Sequence, residues 1–105
     1  MRDFMGMMKQ AAQLQSKMQE MQAELDTIEV EGTAGGSMVT VTLTAKGALK
    51  GVKIDDTLLQ PSEKEIVEDL LVTAHADARR KAETVLAEKM KAVTGGLPLP
   101  PGLLG

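Results

Sequence analysis

The chain has 105 residues, 12 lysines and arginines against 15 acids, one histidine, a single aromatic residue (Phe4) and no cysteine. This composition excludes disulfides and thiolate metal sites, leaves Leu, Val, Ile, Met and Ala to fill a thin core, and, with a net charge of −3, excludes a uniformly basic nucleic-acid binder. A chain of this length buries only about two-thirds of its unfolded surface, so a second copy would add appreciably to its core.

The opening stretch MRDFMGMMKQ lacks the continuous apolar core and small-residue cleavage site of a secretory signal, and no apolar run approaches membrane-spanning length. With no cysteine, this reads as a cytoplasmic protein. Phe4, Met7, Ala11, Leu14, Met18, Met21, Leu25 and Ile28 fall at alternating steps of three and four, a seam of about four heptads that predicts a long helix. Asp3 is its expected N-cap, and Gly6 weakens its first turns. The residues between seam positions are mostly Gln, Lys, Glu and Ala, which favour helix and keep that face wet. The seam itself is expected to face the second helix or a partner subunit.

From Ile28 the period shortens to two. Ile28 and Val30 alternate with Glu29 and Glu31, AGG makes a turn, and SMVTVTLTA continues as a second strand. There Val39, Val41 and Leu43 take one face and Thr40, Thr42 and Thr44 the other. A turn at AKGA leads to a third strand, LKGVKID, with Val52 and Ile54 inward. In QPSEKEIV, Ser62 and Glu65 have the spacing of a capping box, and helical periodicity then runs from Ile66 to Val93, ending at Thr94 before Gly95 and Gly96. The remaining LPLPPGLLG is too rich in proline to be helical and is expected to run extended, loose or laid along a partner.

The order αβββα predicts a single α+β domain over residues 1–105, with a small three-stranded antiparallel sheet at 28–55, helical arms at 1–27 and 62–94, and a Gly/Pro/Leu tail at 95–105. Helices of roughly 35 and 45 Å exceed the roughly 33 Å diameter of a compact globule of this size, so at least one must overhang. Each helix adjoins the sheet by one end, which predicts antiparallel arms leaving a common base. The open edges and the apolar face of the sheet invite a second copy.

Charge is divided unevenly along these arms. Residues 1–19 carry +2 and 20–27 carry −3; residues 62–78 carry −4 and 79–94 carry +3. The second helix follows the preference of the helix dipole, but the first runs against it, so something outside that helix is expected to want positive charge at its free end. Two copies would bring about +10 to the outer halves, enough for phosphate contacts, while an acidic base would repel DNA toward the tips.

Little here supports catalysis. His75 has Leu71 and Arg79 as its i±4 neighbours, neither able to share a metal with it, and reads as a structural or surface residue. Asp55 and Asp56 close the third strand and read as turn or cap residues. No phosphate loop, dinucleotide fingerprint or nucleophile elbow is present. The expectation is no enzyme activity, no cofactor, no metal and no small-molecule substrate.

The helix MMKQAAQLQSKMQEMQAEL, the meander VEGTAGGSMVTVTLTAKGALKGVKIDDTLL, the stretch EDLLVTAHADARRKAE and the ending KMKAVTGGLPLPPG together resemble the YbaB/EbfC family of bacterial nucleoid-associated proteins. The likeness covers nearly the whole chain. Two departures from the family pattern are Thr40, where a lysine is usual, and Ala45 and Lys46 in place of an Asn-Gly-like turn before Gly47. The resemblance implies a tweezer-like homodimer with a shared sheet base that binds double-stranded DNA with limited sequence preference, organises the chromosome and serves gene regulation or repair.

On that reading Arg2, Lys9, Lys17, Arg79, Arg80, Lys81, Lys89 and Lys91 contact DNA, and Val39, Val41, Leu43, Val52 and Ile54 form the core and dimer base. The alternative is a dimeric protein–protein interaction module that clasps its partner with the Met-rich helices and the Pro/Leu tail.

Overall fold

The structure, a computed structural model, describes residues 2–94, with side chains at 3–93. Helix α1 spans Arg2–Thr27 and strands β1 (Glu29–Ala34), β2 (Val39–Thr44) and β3 (Leu49–Ile54) form an antiparallel sheet in that order. Helix α2 spans Lys64–Thr94 and follows two 3-10 turns, Asp56–Leu58 and Pro61–Glu63. The predicted α+β class and αβββα order hold. The predicted tail, 95–105, lies outside the described residues.

Both expected helix caps are replaced. Asp3 lies inside the first turn of α1, where its carboxylate faces the positive end of the dipole. The Ser62–Glu65 capping box is not formed: Ser62 sits inside the Pro61–Glu63 turn, which begins at Gln60 with no side-chain cap. The ring of Pro61 presets helical φ one residue ahead of Ser62, which removes that serine from the cap position. Asp55 does cap, as expected: its Oδ1 accepts from Thr57 N at 2.9 Å and Thr57 Oγ1 at 2.6 Å, and these bonds hold its carboxyl below the usual range.

β1 extends past the alternation at Ile28–Glu31, because Gly32, Thr33 and Ala34 pair with Val41, Thr40 and Val39. The chain reverses through Gly35, Gly36 and Ser37, all at positive φ (63°, 65° and 72°), a run that the two glycines make inexpensive. Val39, Val41 and Leu43 are buried as predicted. Thr44 departs from its outward pattern and is also buried, with its hydroxyl accepting the N–H of Ala48 in the next turn at 3.1 Å. A bulge between Thr42 and Leu43 leaves Lys50 without a cross-strand partner.

α2 lies across β1 and β2. At Gly32 the two backbones come so close that a Cβ would collide with the carbonyl oxygen of Ala74 and the backbone of Ala78. Ala74, Ala78 and Ala82 repeat at four-residue spacing, all buried, the first two packed against the sheet. Small residues on both sides permit this contact. β3 is left uncovered by comparison: Val52 faces the same side as its partner Val41 but is 42% exposed, whereas Ile54 is partly buried against the core.

This placement corrects the expected arms. α2 does not leave the base by its N-terminus; its first half is the layer that covers the sheet, and only its second half projects, alongside α1. There Val85, Met90 and Val93 pack around buried Met21, Leu25 and Ala45, with Met18 and Ile28 at the margin. The seam of α1 therefore faces α2 from Met18 onward, while Phe4 and Met7 remain 65% and 66% exposed. The molecule measures 72 × 25 × 16 Å with a radius of gyration of 19.7 Å. A compact globule of this length would have about 13 Å, so the overhang is real and belongs chiefly to α1.

Candidate nucleic-acid interface

Seven of the eight predicted DNA-contacting side chains can be placed; that of Arg2 lies outside the described residues. Lys9 and Lys17 are exposed on α1 and Lys91 on α2, and none has an ion-pair partner among the described residues. The other four lean on carboxylates. Lys89 Nζ lies 2.8 Å from Glu24 Oε2 and ties the two helices of the arm together. Arg79 reaches Glu83 at 3.7 Å, one turn along the same helix.

Arg80 and Lys81 share a third carboxylate. Asp77 Oδ1 accepts from Arg80 at 2.9 Å, and its Oδ2 lies 3.4 Å from Lys81 Nζ. Oδ2 also accepts the main-chain N–H of Thr33 at 3.0 Å, while Lys81 Nζ donates to the carbonyl of Glu31 at 2.7 Å. Chiefly the Thr33 N–H, then Arg80 and Lys81, hold the Asp77 carboxyl below its usual range. These two bonds satisfy outward-facing backbone groups of β1, so side chains of α2 close that edge of the sheet.

The predicted gathering of cations at the arm tips is therefore corrected. Because residues 74–82 of α2 cover the sheet, Arg80 and Lys81 stand on the β1 side of α2, Arg79 shares the opposite flank with Val72 and His75, toward β3, and the other basic side chains are spread along the arm to Lys9. Among them Arg80 and Lys91 are eleven residues apart, about three turns or 16 Å, on the same side of α2. Arg80 is 75% exposed despite its ion pair. Lys50 and Lys53 of β3 are further exposed cations that the reading of the arms passed over. Their signal was present, since the alternation of β3 directs Lys53 away from Val52 and Ile54. His75 is exposed, and no group of three or more His, Asp or Glu residues suited to a metal ion occurs among the described residues. No described helix is long and apolar enough to cross a membrane.

Comparison with known proteins agrees with this architecture. The model of the YbaB/EbfC DNA-binding family matches residues 1–97. A nucleoid-associated protein of Bradyrhizobium sp. (strain ORS 278) is 69% identical over 102 residues, covering 97% of this chain and 96% of its own. One from Nitrobacter winogradskyi is 66% identical over 103 residues, covering 98% and 97%. The crystal structure of an uncharacterized Helicobacter pylori protein shares the fold, with a TM-score of 0.69 at 24% identity over 80% of this chain and 91% of that one. The family is one of DNA-binding proteins, not enzymes, and on the strength of a match over nearly its whole length this chain belongs to the YbaB/EbfC DNA-binding family.

Proposed function

We propose that two copies of this chain associate through the β3 edge of the sheet, which α2 leaves uncovered, and hold duplex DNA in the nucleoid through phosphate contacts, serving chromosome organisation and, through it, regulation or repair. The observation that carries the DNA contact is the set of exposed cations, with Lys9, Lys17 and Lys91 unpaired among the described residues and Arg79 and Arg80 exposed at 64% and 75%. Exposed ion pairs contribute only about 0–1 kcal/mol, so a phosphate can replace the carboxylates of Glu83 and Asp77 at little cost. With Phe4 its single aromatic residue, the chain has no succession of platforms for stacking single-stranded bases.

The homodimer rests on the contrast between the two sheet edges. Asp77 and Lys81 close β1, whereas beside β3 Leu49, Val52 and Val72 are 60%, 42% and 72% exposed and line one apolar groove with Val41, Leu71 and His75. A salt-titrated binding assay on unrelated duplexes tests the whole reading. If about four to six phosphates are engaged, log affinity falls with log salt at a slope of roughly −4 to −5, similarly for every sequence. A flat salt response overturns it. The interaction-module reading is favoured by the exposed Phe4, Met5, Met7 and Met8; protein capture that survives nuclease, with no DNA shift at low salt, selects it instead.

A further inference from the structure

The single aromatic ring of the chain is not in its core. Phe4 stands near the free end of α1, about 25 Å along the helix from Met21, which is buried where Val85, Met90 and Val93 of α2 pack on it. Phe4, Met7 and Met8 have the i, i+3, i+4 spacing that places them on one side of the helix, Met5 adjoins them, and all four are more than half exposed. A contiguous exposed patch of large apolar side chains marks an interaction surface. Its setting is cationic: residues 4–19 hold Lys9 and Lys17, four glutamines and no acid. Both lysines are exposed without an ion-pair partner among the described residues, and Asp3 lies across the helix from Met5.

We propose that Phe4, backed by Met7 and Met8, is a wedge that α1 inserts between two base pairs of duplex DNA from the minor groove, partly unstacking one step and bending the duplex. This deepens the duplex binding proposed above and rests on it. Apolar side chains set among lysines and glutamines are the combination that such a contact needs: the ring and thioethers take the place of the stacking lost at the opened step, while the polar groups hold the backbone beside it. Lys9 is about 7.5 Å from Phe4 along the axis of α1, and phosphates recur about every 3.4 Å along each strand, so Lys9 meets backbone within about two base pairs of the wedge. The two free lysines give this end of the arm its charge complementarity to DNA. At about 10 to 12 Å across, α1 is too wide for a minor groove of about 6 Å, so only its side chains enter, and the bend opens the groove over them. A lone ring suits one opened step and not a run of stacked single-stranded bases.

A duplex of about 20 base pairs with 2-aminopurine replacing adenine at a single central TA step, a kind of step that opens easily, reports the wedge, because the fluorescence of this base rises when it unstacks. At low salt, saturating full-length protein is expected to raise it about twofold or more. Phe4→Ala with Met8→Ala is expected to abolish the rise while the variant still binds, with a log–log salt slope within about one of the parent's, since no phosphate contact is lost. Phe4→Leu, which keeps an apolar wedge, is expected to retain most of the rise. All these side chains are exposed, so circular dichroism of the variants should match the parent. Lys9→Ala does the converse, lowering the slope by about one and leaving the rise per bound duplex intact. Saturation of the duplex with no rise, or a rise that survives the loss of Phe4 and Met8, overturns the wedge and leaves the phosphate reading standing. No binding to any duplex at low salt overturns both.

Discussion

The carboxylate of Asp77, on α2, accepts the backbone N–H of Thr33, on the β1 edge, at 3.0 Å. One side chain thereby closes a sheet edge, orients Arg80 and Lys81 and joins helix to sheet. Its carboxyl is held below the usual range in the folded state, first by that N–H. A depressed folded value means that the stabilisation is complete above the unfolded pKa, about 4, and is lost as pH falls through the folded value. Asp77→Asn is therefore expected to lower the unfolding midpoint at pH 7, with the gap to the parent protein closing as both are acidified below about pH 4. Thermal melts across that range check this; a gap independent of pH would refute the role of the charge.

Gly32 is needed for space, not for an unusual φ. Its Cα is pressed against the backbone of α2 at Ala74 and Ala78, where rotamer changes give no relief. Gly32→Ala is expected to cost about 3 kcal/mol, the upper end for overpacking, because the whole helix must lift. Denaturant unfolding measures it, and a loss under about 1 kcal/mol would show that α2 slides freely on the sheet.

In the proposed interface a phosphate would compete with Glu24 for Lys89. Glu24→Gln releases its ammonium and removes an anion from the arm. Duplex affinity at low salt should rise about 1.5- to 5-fold, the range of an exposed ion pair, and the gain should fade at high salt. Weaker binding would place Glu24 in a positioning role instead.

The apolar ground beside β3 should hold the dimer. Val72 is 72% exposed in the protomer, so Val72→Asp leaves the core intact. Sedimentation is expected to show a dimer turned monomer, with unchanged circular dichroism and duplex affinity reduced at least tenfold as one of the two grips is lost. A variant that sediments like the parent would move the interface elsewhere.

By itself the sequence determined the elements, because each depends on neighbours along the chain: the three-and-four spacing from Phe4 to Ile28, the alternation in β2, the turn at Gly35 and Gly36. It also carried the family resemblance and the buried face of Val39, Val41 and Leu43. Only the tertiary structure decided where the cations stand. The position of α2 over the sheet is set by the contact of Gly32 with Ala74 and Ala78, some forty residues away in the chain, and no local pattern encodes that register. It places Arg80 and Lys81 beside β1 and Arg79 on the opposite flank of α2, rather than at a tip, and gives Asp77 and Lys81 their edge partners. Periodicity is a property of one segment, whereas register between segments comes from the packing of two surfaces, and that packing exists only once the chain has folded.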